Sequence, residues 1–201
     1  MNSKKAIEKL KKNKTFYLLF NKLGVIHFPK RNLNFEALLK IIINQQLSNK
    51  TSNLIFSRLK KTLNNNLNLT PLDIHSIEEY KLKSAGISYS KIKTMKRLSN
   101  TFIKNPQIIN EWNKLDDDSA RFEIERNFGF GPWSSNIILL FYLGRKDIFP
   151  YNDSTLKKAY LKLYNQDIDN DLSLVNWAKP YRSLLALYLW RWVDNGMRPV
   201  N

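Results

Sequence analysis

Apolar residues recur at helical spacing along nearly the whole chain, and this pattern limits the possible folds more than any other feature. A clear case is the series i, i+3, i+4, i+7, i+8 formed by Phe35, Leu38, Leu39, Ile42 and Ile43. No stretch of useful length alternates apolar and polar residues, as a half-buried strand would. The sequence therefore predicts an all-α protein. We expect helices near 3–12, 15–23, 35–46, 49–63, 73–83, 88–104, 107–113, 117–127, 132–143, 154–164 and 181–194.

Two stretches interrupt this pattern. The polar tract "NNNLNLT" (64–70) predicts a loop, and "GVIHFPKRN" (24–32) predicts an irregular crossing because it combines β-branched residues with a proline. The last helix carries "LLALYLW" (184–190), which is apolar on every side and so predicts a helix buried in the core.

Composition excludes several classes of protein. The 201 residues include no cysteine and only two histidines, which removes disulfides, thiolate clusters and most zinc sites. The apolar run after the lysine-rich N-terminus is too short for a signal peptide, and 184–190 is too short to span a membrane. We expect a cytoplasmic protein, nucleoid-associated if bacterial.

The net charge of +16 favours a polyanionic partner, with nucleic acid first and anionic membrane second. A basic amphipathic helix is confined to about 4–12, so a membrane or partner-binding protein is the weaker alternative. A nucleotide hydrolase is disfavoured because the chain has no Gly-x-x-x-x-Gly-Lys loop. The run "LDDDS" (115–119) is typical of an acidic helix start rather than of a two-metal site.

The stretch "FGFGPWSSN" (128–136) predicts two helices joined by a tight hairpin. Gly129 stands where a helix ends in a left-handed residue, and Pro132 suits the first turn of the next helix. Without side chains at Gly129 and Gly131 another backbone can come close, and N–H groups at the second helix can face a phosphate. The pattern fits a clamp on the DNA backbone that does not read sequence. Taken alone, it fits a plain connection between packed helices equally well.

Downstream, the segment "GRKDIFPYNDSTLKKA" (144–159) contains Asp147 and Asp153. Asp153 precedes a helical pattern and is placed to cap its N-terminus. Capping and chemistry are compatible, because a helix N-terminus keeps a carboxylate ionised and fixes its direction.

These motifs, in this order, resemble those of the helix-hairpin-helix (HhH-GPD) DNA glycosylases, and within them the 3-methyladenine DNA glycosylase II branch for alkylated bases. The resemblance extends from about residue 34 to 191 and lies in four places. These are "IIINQQLSNKTS" (41–52), the hairpin "FGFGPWSSN", the segment 144–159 and "WAKPYRSLLALYLWR" (177–191).

The resemblance implies one domain over 1–201, built of two helical lobes with the helix-hairpin-helix motif and an active-site cleft between them. The first lobe would cover about 35–140, and the second about 1–34 plus 141–201. It also implies double-stranded DNA with damaged bases as the partner, a monomeric protein and no cofactor, and it allows a monovalent cation at the hairpin.

The resemblance assigns the chemistry to Asp153 rather than Asp147. It gives Gln46 the role of wedge in the duplex after the damaged base has flipped out. The full set of DNA-binding residues is Gln45, Gln46, Leu47, Ser48, Gly129, Gly131 and Ser134.

The base pocket would be lined by Trp133, Trp190 and Ile137. Alkylated purines are cationic, so tryptophan faces would attract them. Two positions depart from the family: Ile137 replaces a pocket tyrosine, and Asn152 replaces an aspartate before Asp153. Trp133 stands where bifunctional relatives have a nucleophilic lysine, so we expect base removal without strand cleavage.

We therefore predict a monofunctional glycosylase of base excision repair that hydrolyses the N-glycosidic bond of 3-methyladenine and 7-methylguanine and leaves an abasic site. The alternatives are a glycosylase for another lesion, such as uracil, hypoxanthine or an oxidised purine, and a catalytically inactive helix-hairpin-helix DNA-binding protein.

Overall fold

In the computed structural model, which describes residues 4–27, 31–64, 68–168 and 172–200, every regular element is a helix. The all-α prediction is confirmed for these residues. A π-helical turn (Ile138–Tyr142) continues α10, and a 3₁₀ helix (Leu172–Ala178) precedes α12. The α-helices are α1 (Lys4–Lys11), α2 (Lys14–Leu23), α3 (Phe35–Asn44), α4 (Asn49–Thr62), α5 (Pro71–Ser76), α6 (Glu79–Ser84), α7 (Tyr89–Lys104), α8 (Ile108–Lys114), α9 (Asp117–Phe128), α10 (Pro132–Ile137), α11 (Ser154–Tyr164) and α12 (Arg182–Asp194).

Short polar side chains fix the starts of six helices. Each lies at the N-cap, where its oxygen accepts a hydrogen bond from a main-chain N–H of the first turn that no carbonyl within the helix can reach. The capping residues are Asn13, Asn34, Ser48, Thr70, Asp116 and Asp153. Because these bonds join residues two or three apart, the sequence locates helix starts well.

The prediction of a single helix over 73–83 is wrong. The structure has two short helices there, α5 and α6, because Ile77 between them adopts an extended conformation with ψ of 140°. The ammonium of Lys96 donates hydrogen bonds to the carbonyls of His75 and Ile77, so the interruption is stabilised by a residue from α7. Residues 65–67 of the loop predicted over 64–70, like residues 28–30 of the predicted crossing, lie outside the described residues.

The chain divides into two units, which we call the central unit (Asn32–Ser135) and the terminal unit (Met1–Arg31 with Asn136–Asn201). In the central unit α7 packs against α3, α5, α6 and α9. Its inner face is apolar, and the ring of Phe102 meets that of Phe35 edge to face at 5.3 Å between centroids. The longest helix of the central unit therefore forms its main support.

One charged group is buried in the central unit. Glu36 in α3 is only 6% exposed and accepts hydrogen bonds from Lys40 Nζ at 2.9 Å, Lys60 Nζ at 3.1 Å and the Leu69 amide at 2.9 Å. Burial raises the pKa of Glu36, but the hydrogen bonds from Lys40, Leu69 and Lys60 outweigh it and leave the pKa below its usual value. The carboxylate thereby ties α3 to α4 and to the segment before α5.

In the terminal unit α12 is buried on nearly all sides, as the sequence predicts, and it packs on α2, α11 and the 3₁₀ helix. The ring of Tyr188 meets Phe16 edge to face at 4.9 Å, and its hydroxyl donates to the Gly24 carbonyl at 2.9 Å. The apolar face of the basic helix α1 is likewise buried through Ala6 and Leu10. Over the described part of the chain, no helix is both long and apolar enough to cross a membrane.

Candidate nucleic-acid interface and active site

The predicted hairpin is present in the central unit. Helix α9 ends at Gly129, which is left-handed with φ of 65° and ψ of 22°, and α10 begins at Pro132. A Cβ atom at Gly129 would also lie 3.3 Å from Thr94 Oγ1 in α7, whereas one at Gly131 would meet no atom within 4 Å. Gly129 is thus required by the fold, while Gly131 leaves open space beside the main chain.

Hydrogen bonds hold the two helices of the hairpin together. The hydroxyl of Ser135 donates to Glu125 Oε1 at 2.6 Å, and its amide donates to the Gly131 carbonyl at 3.1 Å. These bonds connect the last turns of α9 with the first turn of α10. The start of α10, with its main-chain N–H groups, is therefore held against α9.

The predicted "QQLS" junction forms the turn between α3 and α4, also in the central unit. Gln46 is exposed and lies in the left-handed region with φ of 58°, which is uncommon for a residue with a side chain. Leu47 is exposed as well, and Ser48 caps α4 through a hydrogen bond from the Thr51 amide at 3.2 Å. The turn presents Gln46 and Leu47 side by side on the surface of the unit.

Side chains from two neighbouring helices hold this turn. The sequence predicts the turn but not these contacts. The Lys91 ammonium in α7 donates to the carbonyls of Ile43 and Gln45, both at 2.8 Å. The side-chain amide of Gln45 donates to Ser134 Oγ at 2.9 Å, and Ser134 is buried. Burial lowers the pKa of Lys91. The hydrogen bond between Gln45 and Ser134 links the turn directly to the hairpin.

The candidate catalytic carboxylate lies in the terminal unit. Asp153 caps α11, and its Oδ1 accepts a hydrogen bond from the Leu156 amide at 2.9 Å. The indole N–H of Trp190 donates to the same oxygen at 3.3 Å. Two donors from different helices thus fix the direction of this partly exposed carboxylate.

Trp190 is one of several aromatic residues whose roles the structure separates. Its ring stacks on Phe141 at 5.5 Å between centroids with an interplanar angle of 29°. The guanidinium of Arg31 lies 4.7 Å from the centroid of Phe141, a cation–π contact for which the sequence contains no signal. Tyr188 and Trp192, by contrast, are buried, and each bonds a main-chain carbonyl, so they belong to the core.

The second acidic residue of the segment has a different environment. Asp147 makes a bidentate ion pair with Arg182, in which Nε and Nη2 each lie 2.9 Å from a carboxylate oxygen. It also accepts from the Arg182 amide at 3.3 Å. Asp147 therefore anchors the start of α12.

Three further residues that the sequence analysis singled out differ in their exposure and their contacts. Trp133 is half-buried at the start of α10 in the central unit. Ile137 is 9% exposed in the terminal unit. In Asn152, which precedes the capping aspartate, Oδ1 is buried and accepts no hydrogen bond from the described residues.

Comparison with known proteins agrees with the family that the sequence motifs resemble. The family model described as HhH-GPD superfamily base excision DNA repair protein matches residues 39–175. DNA-3-methyladenine glycosylase 1 of Schizosaccharomyces pombe is 26% identical over 172 residues, which cover 81% of this chain and 75% of that protein.

Two solved structures are similar over nearly the whole chain. The 3-methyladenine DNA glycosylase of Schizosaccharomyces pombe in complex with abasic DNA aligns with a TM-score of 0.82 and 26% identity, covering 94% of this chain and 97% of that one. A DNA-3-methyladenine glycosidase from Bacillus halodurans has the same fold, with a TM-score of 0.82 and 21% identity over 98% of this chain and 92% of that one. The predicted family is thereby confirmed, and the protein belongs to the HhH-GPD superfamily of base excision DNA repair proteins.

Proposed function

We propose that this protein is a monofunctional DNA glycosylase that hydrolyses the N-glycosidic bond of alkylated purines, 3-methyladenine and 7-methylguanine, in double-stranded DNA. The observation that carries the proposal is the orientation of Asp153, whose Oδ1 is held by the Leu156 amide and the Trp190 indole. The names of the Schizosaccharomyces pombe relatives support the alkylated class of substrate.

The oriented carboxylate suits the charge that develops in this reaction. As the bond between base and sugar breaks, positive charge builds on the sugar, and a fixed anion nearby stabilises it without having to reorganise. We assign this role to Asp153, together with orientation of the attacking water. Because an alkylated purine already carries positive charge, it leaves without a strong acid to protonate it.

The flipped base needs a surface that favours a flat cation. Trp133 and Trp190 would supply aromatic faces, and each cation–π contact would contribute about 0.5–2 kcal/mol. The stacking of Phe141 on Trp190 limits rotation of that indole ring. Ile137 would add an apolar surface where relatives have a tyrosine, so it affects which bases are accepted.

DNA would be held by the two surface features of the central unit. The exposed Gln46, with Leu47 beside it, would fill the gap that the flipped nucleotide leaves, which offsets part of the few kcal/mol that flipping costs. The main-chain N–H groups at the hairpin would hold a phosphate next to Gly129 and Gly131. The excess of basic residues supports this partner because it attracts the DNA backbone.

The product would be an abasic site in an intact strand. The indole of Trp133 cannot form a Schiff base with the sugar, which strand cleavage by bifunctional relatives requires. The reaction involves no redox step or group transfer to a carrier, so the proposal includes no cofactor. A monovalent cation at the hairpin would be held by main-chain carbonyls, because residues 129–131 have no carboxylate.

The test is the release of free methylated bases from alkylated duplex DNA, comparing the wild type with Asp153→Asn. Asparagine caps helices as well as aspartate does, so the variant removes the charge and preserves the start of α11. We expect the wild type to release 3-methyladenine or 7-methylguanine, and the variant to bind DNA but release almost none.

Two results would count against the proposal. If neither protein releases a methylated base although both bind DNA, the substrate class is wrong, and defined lesions containing uracil, hypoxanthine or an oxidised purine should be compared next. If Asp153→Asn releases bases at the rate of the wild type, Asp153 has no role in the chemistry.

A further inference from the structure

We propose that Lys91 is a positioning residue that fixes the turn between α3 and α4, and so determines how Gln46 enters the duplex. This inference rests on the proposed function, in which Gln46 fills the gap left by the flipped base. The Lys91 side chain comes from α7, so the turn depends on a helix that is distant from it in sequence.

The contacts of Lys91 act on carbonyls at and just after the C-terminal end of α3. Carbonyls at the end of a helix have no partner within the helix, and a cation placed there satisfies them and interacts favourably with the helix dipole. The Gln45 carbonyl, which Lys91 binds at 2.8 Å, belongs to the peptide group that joins Gln45 to Gln46. Lys91 therefore fixes the peptide plane from which Gln46 extends.

Gln46 needs such support because of its conformation. Its φ of 58° lies in the left-handed region, which costs free energy for a residue with a Cβ and persists only where surrounding contacts impose it. The preceding carbonyl is held by Lys91, and the Gln45 side chain by Ser134. Loss of the ammonium would let the peptide before Gln46 rotate.

Helix α7 supports the hairpin as well as the turn. Thr94, one helical turn after Lys91, lies against Gly129, where its Oγ1 would be 3.3 Å from an added Cβ. The turn that carries Gln46 and the hairpin at Gly129 thus both contact α7. Contacts with α7 therefore contribute to the relative placement of the turn and the hairpin.

A direct contact with a DNA phosphate is the competing role for Lys91. The Lys91 ammonium is partly buried and its described hydrogen bonds are to main-chain carbonyls, whereas Lys93 on the same helix is exposed. A lysine that binds phosphate contributes to the salt dependence of affinity, with a slope of about 0.9 per contact on B-form DNA. A positioning lysine leaves that slope unchanged.

The experiment compares Lys91→Met, which keeps the length of the stem, with Lys93→Met, which removes the same charge from an exposed position. Each protein binds a duplex with a tetrahydrofuran abasic analogue opposite 2-aminopurine, whose fluorescence reports insertion beside it. Affinity is measured across a salt series. Release of methylated bases under single-turnover conditions is measured separately.

We expect Lys91→Met to lose most of the fluorescence change, keep the wild-type salt slope and release bases about 10- to 100-fold more slowly. Lys93→Met should keep the fluorescence change. In a double-mutant cycle, Lys91→Met should add almost nothing to Gln46→Ala, because both act through the same wedge. General loss of structure would instead make the two effects add.

The proposal is overturned if Lys91→Met keeps the fluorescence change, if its salt slope falls by about one phosphate contact, or if the double-mutant effects add. If Lys91→Met does not fold, Lys91→Gln, which removes the charge and shortens the reach, is measured instead. A wild-type fluorescence change in that variant overturns the proposal. The fluorescence and salt measurements require no chemistry, so a wild type that inserts its wedge but releases no base refutes the proposed function and not the role of Lys91.

Discussion

Replacing Trp190 with phenylalanine tests whether the direction of the carboxylate matters for the reaction. Trp190→Phe removes the N–H that donates to Asp153 Oδ1 but keeps an aromatic ring to stack on Phe141. Hydrogen bonds to charged groups contribute about 1.5–3 kcal/mol. Since this bond measures 3.3 Å, longer than the usual charge-assisted bond of about 2.7–2.9 Å, we expect the lower end, about 1.5 kcal/mol. That corresponds to an approximately tenfold slower reaction.

Trp192 in the same helix is a matched control. Its indole also donates one hydrogen bond, to the Arg198 carbonyl at 2.8 Å, and its side chain is 2% exposed. Trp192→Phe should lower the free energy of unfolding by about 1–3 kcal/mol through a cavity and an unpaired carbonyl, and leave base release within about twofold of the wild type.

The assay is single-turnover release of methylated bases with enzyme in excess, together with urea unfolding of each variant. The reasoning predicts different effects: Trp190→Phe loses about tenfold in rate and no more than about 1.5 kcal/mol of stability, whereas Trp192→Phe loses stability with little loss of rate. If Trp190→Phe reacts as fast as the wild type, or if both variants are slowed equally, orientation of Asp153 by the indole does not contribute to the reaction.

Three further predictions follow from the structure. Gly129→Ala should cost about 1–2 kcal/mol of stability, because the main chain there is left-handed and the added Cβ would lie close to Thr94. Gly131→Ala should unfold like the wild type but bind duplex DNA more weakly. If its DNA affinity equals that of the wild type, Gly131 is not part of the interface. Asp147→Asn should lower stability by about 1–2 kcal/mol in thermal unfolding and leave base release unchanged, and loss of release would give this residue a chemical role. Glu36→Gln should lower the free energy of unfolding at pH 7 by about 2–4 kcal/mol. Because the pKa of Glu36 is lowered on folding, its contribution is present above the ordinary carboxyl pKa and declines as pH falls through the lowered value, so the variant should show a weaker loss of stability in acid.

Features that depend on neighbouring residues could be predicted from the sequence. Asp153 caps α11, Gly129 ends α9 in the left-handed conformation and Pro132 begins α10, all as expected. Each of these features is determined by hydrogen bonds or steric limits within three or four residues. The same holds for the buried α12, whose apolar residues leave no polar face for solvent.

Features that depend on distant residues were missed. The break at Ile77 is held by Lys96, and the early end of α3 at Asn44, two residues before the predicted boundary, is held by Lys91. Each lysine reaches carbonyls 19 to 48 residues away in the chain. Periodicity contains no information about such contacts, because the apolar pattern continues through both positions.

The same division applies to the candidate site. The sequence determined the all-α class, the helix-hairpin-helix and the residues of the family motifs, since these follow from local spacing and from the order of motifs along the chain. Only the tertiary structure shows that the two aspartates have different surroundings: Asp147 pairs with Arg182, whereas Asp153 accepts a hydrogen bond from an indole 37 residues away. It also separated Trp190 from the core residue Trp192. Side chains two residues apart on one helix face different surroundings, and those surroundings exist only after distant segments have packed together.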